Sequence, residues 1–436
     1  MSNPATRPAT PPLRLGIAGL GTVGIGTVKI VQRHADLIAR RAGRPIEIVA
    51  VSARDRHRNR DADLSAYAWE ADPVALARRG DIDVLVEVMG GSEGAAKDAT
   101  EAAIAAGKDV VSANKALLAH HGQRLAEAAE ARGHVIRFEA AVAGGIPVIK
   151  ALTEGLAGNE IRRVMGVMNG TCNYILTRME TAGLPYETVF EEARQLGYLE
   201  ADPNLDVGGI DAGHKLSLLA AIAFGTRVSF DAVELEGIGR ISIDDIRQAG
   251  DMGYRIKLLG VAQMTGRGLE QRMSPCLVPA DSPLGQLQGG TNMVVLEGDS
   301  VGQIVLRGAG AGAGPTASAV MSDVIEIARG SRIPTFGQPA ATLAAPIAAR
   351  ATSAAAHYLR MNLVDKPGAL AKVAAALGDA GVSIDRMRQY RHDDTTAPVL
   401  IVTHKTTRDA VDHAFARLPA TGVVLGDPVA IRIEEV

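Results

Sequence analysis

Cysteine is nearly missing from this chain: Cys172 and Cys276 are the two in 436 residues. That excludes a disulfide framework and suits a reducing compartment. No apolar run reaches the roughly 18 residues needed to span a bilayer, so no membrane association is expected. The net charge of −3 leaves no broad basic surface for nucleic acid. The N-terminus holds Pro4, Pro8, Pro11 and Pro12 without an apolar segment. It does not read as a secretory signal, and residues 1–12 are expected to be a disordered tail of a cytoplasmic protein. His120 and His121 are adjacent, which is not the spacing of a zinc site.

What is present is the composition of a folded protein, 47% hydrophobic and 22% charged. The length points to two or three domains. Apolar strands at Leu13–Ala18, Ile46–Ser52, Ile82–Met89, Asp109–Ser112 and Val135–Glu139 alternate with helical spacing at Thr22–Arg41, Glu93–Ala106 and Gln123–Arg132. This is the pattern of a doubly wound parallel sheet, expected over 13–142. Residues 143–307 read as a mixed α+β substrate domain. Residues 308–335 are a glycine-rich loop and helix, 336–356 an Ala- and Pro-rich linker, and 357–436 a small βαββαβ module.

Gly19-x-Gly21-x-x-Gly24 sits between the first strand and helix, the context a dinucleotide fingerprint requires. Gly19 permits the turn, Gly21 lets the backbone approach a pyrophosphate, and Gly24 lets helix pack on strand. Thr22 and Val23 would then offer helix N-terminal N–H groups to the anion. The fold is therefore expected to be a Rossmann domain binding NAD or NADP. The second strand ends in Ser52-Ala53-Arg54 instead of an acid. Arg54 suits a 2′-phosphate, so NADP(H) is expected over NAD(H), unless Arg54, Arg56, Arg58 and Arg60 merely form a solvated loop. Met89, Gly90 and Gly312 complete the expected cofactor contacts.

Lys115 lies just past a strand end, where open parallel sheets place their ligands. A second cluster holds Glu200, Asp202, Asp206, Asp211 and Lys215. Asp211 and Lys215 share a helix face, and carboxylates beside a lysine could hold an amine while supplying a proton. A third, Asn169-Gly170-Thr171-Cys172-Asn173, suits a loop that orients a polar ligand. Cys172 reads either as a nucleophile toward an aldehyde or as a small buried apolar group.

With these clusters in view, the chain resembles homoserine dehydrogenase, in the monofunctional form with a C-terminal ACT domain, from Leu13 to Val436. The specific stretches are V-S-A-N-K-A-L-L-A, F-E-A-A-V-A-G-G-I-P, N-G-T-C-N-Y-I-L-T, L-G-Y-L-E-A-D-P-N-L-D-V-G-G-I-D-A-G-H-K-L and G-A-G-A-G-A-G-P-T-A-S-A-V. The resemblance implies reversible reduction of L-aspartate 4-semialdehyde to L-homoserine by NAD(P)H. It implies Lys215 as proton donor, Lys115 as the residue positioning substrate, and Glu200, supported by Asp206 and Asp211, as ligand of the amino group. It also implies a monovalent cation, sodium, at Glu139, Val142, Gly144 and Ile146. A glycine-rich hinge at that place is compatible with this. Two positions depart from the family pattern: Cys172 stands where threonine is commoner, and Ala309 where proline is usual. Tyr358–Val364 with the turn Asp365-Lys366-Pro367-Gly368 resembles the start of an ACT domain. The resemblance implies feedback by L-threonine and pairing into a homodimer or homotetramer. Another amino-acid-linked dehydrogenase, or a sensing protein without turnover, fits the same scaffold less fully.

Overall fold

The computed structural model describes residues 10–199, 202–350, 353–389 and 396–435. Residues 1–9 of the tail expected at 1–12 lie outside the described residues, and its end is not disordered: Pro11 O and Pro12 O accept from the Arg44 guanidinium at 2.7 and 3.0 Å. The chain divides into two compact units. The first gathers the chain up to Val164, then His214–Ala232 and Thr291–Pro346; the second gathers Met165–Gly213, Val233–Gly290 and the chain from Ile347 onward.

In the first unit, strands β1 (Leu13–Ala18), β2 (Ile46–Ser52), β3 (Ala68–Glu70), β4 (Val84–Glu87), β5 (Asp109–Ser112) and β6 (Ile136–Arg137) form a parallel sheet in the order β3-β2-β1-β4-β5-β6. The reversal of strand order beside β1 is the switch point at which such sheets bind dinucleotides. Helices α1 (Thr22–Ala42), α2 (Pro73–Arg78), α3 (Ala95–Ala105) and α4 (Lys115–Glu130) alternate with the strands. The Rossmann expectation is met. Differences are local. β3 and α2 carry no strong periodicity; α2 starts because Asp72 accepts from Val74 and Ala75 N–H and Pro73 opens the helix. Helix α4 starts at Lys115 and not at Gln123, because the Asn114 side chain caps it by accepting from Leu117 N–H. The strand expected over Ile82–Met89 stops at Glu87, whose carboxylate turns the backbone by accepting from Met89 N–H.

A late segment completes this core. Helix α11 (Ala313–Ala328) buries Val320, Val324 and Ile327 against Leu15, Ile17, Val28 and Val31. Gly26 makes the approach possible: a Cβ there would stand 2.7 Å from Ala313 O. The unit also holds the hairpin β11 (Thr291–Gly298) and β12 (Gly302–Ala309) and a short helix, α5 (Val148–Lys150), which continues as a π turn over Ala151–Gly155. The stretch read as a linker is anchored, with Phe336, Ala340 and Leu343 buried and Phe336 edge-on to Phe138.

Strand β7 (Ile161–Val167) leads into the second unit. There follow α6 (Gly170–Ala182), α7 (Tyr186–Gln195), α8 (Pro203–Val207), the start of α9 (Ile210–Phe224), and, after the two-residue strand β8 (Glu234–Leu235), α10 (Ile243–Asp251). The long antiparallel pair β9 (Tyr254–Thr265) and β10 (Gly268–Pro279) comes next. The two-residue β13 (Ala348–Ala349) pairs with β10. The C-terminal module runs β14 (His357–Val364), α12 (Ala369–Asp379), β15 (Ile384–Gln389), β16 (Thr396–Thr403), α13 (Arg408–Arg417) and β17 (Val424–Ile433), the expected βαββαβ order. Its core joins Leu359, Met361, Val373, Leu377, Val399, Ile401 and Val411. The module is not a bead on a string: β17 pairs in parallel with β10 at Cys276–Arg432 and Leu277–Ile433.

Candidate active site

In the first unit, the glycine turn is as tight as its sequence suggests. Gly19 has φ 104, and a Cβ on it would stand 2.8 Å from Val88 O. A Cβ on Gly24 would meet Gly19 O at 1.9 Å, so only glycine lets α1 start this close to β1. A Cβ on Gly21 would meet nothing within 4 Å. Gly21 precedes α1 without a side-chain cap, leaving the N–H groups around Thr22 and Val23 for an anion. Gly312 (φ 118) likewise opens α11 without a side-chain cap.

At the end of β2, Ser52 O accepts from Gly19 N–H. Asp55 is spent on its own loop, accepting from His57 and Arg58 N–H. Arg54 is exposed. The arginine run is ordered around Trp69, with Arg56 and Arg60 over its ring at 6.0 and 5.6 Å, and Arg60 Nε donating to Leu20 O in the glycine turn.

Glu87 is a site residue that the sequence reading missed. It is fully buried, accepts from Met89 and Gly90 N–H and from Ser112 Oγ, and so fixes the turn that carries both expected cofactor contacts. Burial pushes its carboxyl above the usual range, against those hydrogen bonds. Asn114 Nδ2 donates to Gly91 O and ties the same turn to the start of α4, where Lys115 is half-buried. An acid ending an apolar strand was the available signal.

Lys215 is 8% exposed on α9, with His214 packed against Phe230 at 4.2 Å between ring centroids.

Glu139 is buried and accepts from Ile149 and Lys150 N–H at 2.9 and 2.8 Å. Burial, then the neighbouring Asp323, pushes it up to about 7. Asp323 in turn accepts from Glu139 N–H at 2.8 Å and from Lys150 Nζ at 2.8 Å. The following turn is strained: Ala143 is the non-glycine residue with positive φ (55) among the described residues, and Gly144 (φ 53) has Gly310 O where a Cβ would be. No group of three His, Cys, Asp or Glu among the described residues could hold a metal. A cation at Val142, Gly144 and Ile146 would therefore rest chiefly on backbone carbonyls, which suits a monovalent ion better than a transition metal.

In the second unit, Asn169 joins the two acids. Its Nδ2 donates to Asp206 Oδ1 at 3.0 Å and to Asp211 Oδ2 at 3.4 Å, while its Oδ1 caps α6 by accepting from Cys172 N–H at 2.8 Å. Asp206 and Asp211 are both buried. Thr171 Oγ donates to Tyr198 O, and Tyr198 stacks on Tyr174 at 4.6 Å. Gly170 is required because a Cβ would stand 2.7 Å from Gly290 O. Cys172 is buried with its thiol donating to Asp206 O, the geometry of a packing residue. Lys257, also missed, donates to Asn173 Oδ1 and Leu287 O. Burial pushes its ammonium down to about 8. Glu200 lies outside the described residues.

Three family models match in order: the homoserine dehydrogenase NAD-binding domain at 19–139, homoserine dehydrogenase at 147–325 and an ACT domain at 357–418. The homoserine dehydrogenase of Neisseria gonorrhoeae is 44% identical over 97% of this chain and 99% of its own length. The chain belongs to the homoserine dehydrogenase family. The enzyme of Pseudomonas aeruginosa is 43% identical, again over 97% and 99% of the two chains. Among solved structures, homoserine dehydrogenase from Thiobacillus denitrificans superposes with a TM-score of 0.91 at 40% identity, covering 97% of this chain and 98% of that one. A hyperthermophilic archaeal homoserine dehydrogenase mutant, solved in complex with NADPH, matches at 26% identity and TM-score 0.62 over 72% of this chain and 97% of its own. The chain is accordingly an oxidoreductase with a nicotinamide-binding domain, a homoserine dehydrogenase domain and an ACT domain. No helix among the described residues is long and apolar enough to cross a membrane.

Proposed function

We propose that the chain interconverts L-aspartate 4-semialdehyde and L-homoserine on the route to threonine, methionine and isoleucine, with NADPH preferred over NADH. The observation that carries this reading is the buried Asp206–Asn169–Asp211 clamp, with Asp211 one helical turn before the buried Lys215. Two carboxylates held by one amide form an ammonium site whose geometry is fixed before substrate arrives. Glu200 is assigned to the same ammonium.

Reduction of the aldehyde adds one hydride to carbon and one proton to oxygen. A bound nicotinamide supplies the hydride. Lys215, as an ammonium, stabilises the developing alkoxide and gives it the proton; in the reverse direction its amine takes the proton from the alcohol. Lys115 positions the substrate. The turn around Gly19, Gly21, Thr22, Val23 and Gly24, with Met89, Gly90 and Gly312, holds the pyrophosphate and ribose. Arg54 is assigned to the 2′-phosphate, a reading supported by the absence of an acid at the end of β2 and by NADPH in the archaeal relative's complex. A sodium ion is assigned to Glu139, Val142, Gly144 and Ile146.

The C-terminal module is assigned an inhibitory response to L-threonine in a cytoplasmic homodimer or homotetramer. Because β17 pairs with β10, deleting the module would bare a core strand edge. The cleaner test leaves it in place. The full chain is assayed by NADPH absorbance with aspartate semialdehyde, repeated with NADH, then with millimolar L-threonine. No NADPH oxidation would refute the substrate reading. Equal rates with both cofactors would refute the NADP preference, and an unchanged rate with threonine the regulatory one.

A further inference from the structure

Asn292, in the first unit near the start of β11, is 1% exposed. Neither Nδ2 nor Oδ1 of its carboxamide has a hydrogen-bond partner among the described residues. A buried amide that is idle at both ends is costly. The carboxamide lies against Gly310. A Cβ on Gly310 would stand 2.0 Å from Asn292 Nδ2 and 2.5 Å from Oδ1, so the amide is packed on a bare α-carbon.

Gly310 opens the segment Gly310-Ala311-Gly312, whose two ends are fixed. On one side Gly145 N–H donates to Ala309 O at 3.0 Å, and Gly310 O presses on Gly144. On the other side Ala313 O packs on Gly26 of α1, the helix that follows the glycine turn. Between these anchors Ala311 and Gly312 are exposed, and Gly312 has φ 118. Two glycines in three residues leave the peptides free to rotate, while the anchors keep the segment beside α1. Rotation there would turn the backbone of Gly310 toward the idle carboxamide.

We propose that Asn292 is a positioning residue for the dinucleotide. Its carboxamide is idle in the free chain and takes its hydrogen bonds from the Gly310–Gly312 backbone when cofactor binding draws that segment into place. The cost of the buried amide is then recovered on binding and adds to cofactor affinity, because a ligand shifts a conformational equilibrium by what differs between the two states. Asn292 acts through this segment and not on the reacting atoms. The proposal rests on the assignment of Gly312 to the cofactor made above.

Urea unfolding of the ligand-free full chain and calorimetric titration with NADPH test it together. Asn292→Leu keeps the shape of the side chain and removes its polar atoms, so the free chain should unfold at the same urea midpoint or a higher one. Its Kd for NADPH should nevertheless rise about tenfold or more. Asn292→Ala, which cannot crowd its neighbours, should show the same rise whatever its stability. In that variant the KM for aspartate semialdehyde at saturating NADPH should stay about where it is in the parent. A lower midpoint for free Asn292→Leu would mean that the carboxamide is already satisfied before the cofactor binds, and would overturn the proposal. A parent-like Kd for NADPH in Asn292→Ala would do the same, as would a KM for the semialdehyde that rises in step with that Kd. Gly312→Ala tests the assignment beneath the proposal. Unchanged NADPH binding in Gly312→Ala would remove the segment from the cofactor site, whereas a loss there with none in the Asn292 variants would overturn the role of Asn292 alone.

Discussion

His120 and His214 meet edge to face, their ring centroids 5.3 Å apart at 73°. The contact packs α4, which Lys115 opens, against α9, where Lys215 follows His214. Phe230 closes the group at 5.4 Å from His120. The two lysines, exactly a hundred positions apart in the chain, therefore sit on helices that touch.

Lys215→Ala should lower kcat by about 10²–10⁴-fold, the range for a lost general acid. NADPH affinity, read by fluorescence titration, should stay within twofold. A variant as active as the parent would remove Lys215 from the mechanism.

Asn169→Ala should raise the KM for aspartate semialdehyde at least tenfold, since Asp206 and Asp211 lose the amide that holds them. It should also cost about 1 kcal/mol of stability through the lost cap of α6. Steady-state kinetics and urea unfolding measure the two effects separately. An unchanged KM with the stability loss intact would leave Asn169 a helix cap and nothing more.

Arg54→Ala should lower kcat/KM for NADPH about tenfold or more, the worth of a charge-assisted hydrogen bond, and leave that for NADH within twofold. Parallel losses with both cofactors would assign Arg54 to the fold and not to the 2′-phosphate.

His357 gives a stability signature in acid. Burial, with Arg432 and Arg408 nearby, pushes it down to about 4. An unfolded histidine titrates near 6.5, so above that pH the group contributes nothing to the pH dependence. As pH falls from about 6.5 to 4 the unfolded chain takes up a proton that the native chain refuses, and stability drops by up to ~3 kcal/mol. Urea midpoints at pH 7.5, 6 and 5 should show the loss, and His357→Gln should flatten it. A variant with the same pH slope would assign the acid sensitivity elsewhere.

The nucleotide-binding half was legible in the amino-acid sequence. Its signals are local: a glycine turn of fixed spacing, apolar strands, and helices ending in glycine, each decided by residues a few positions apart. The order of the C-terminal module was legible for the same reason. Tertiary structure alone decided that Asn169 would join Asp206 and Asp211 from 37 and 42 positions away, and that Asp323 would lie beneath Glu139 from 184. It also decided that α11 would complete the core of β1 and that Glu87 would hold the Met89–Gly90 turn. Hydrophobic periodicity fixes which face of an element is buried. It carries nothing about which distant polar group will meet that face, because that choice is made only when packing removes water and each buried carboxylate must find a donor.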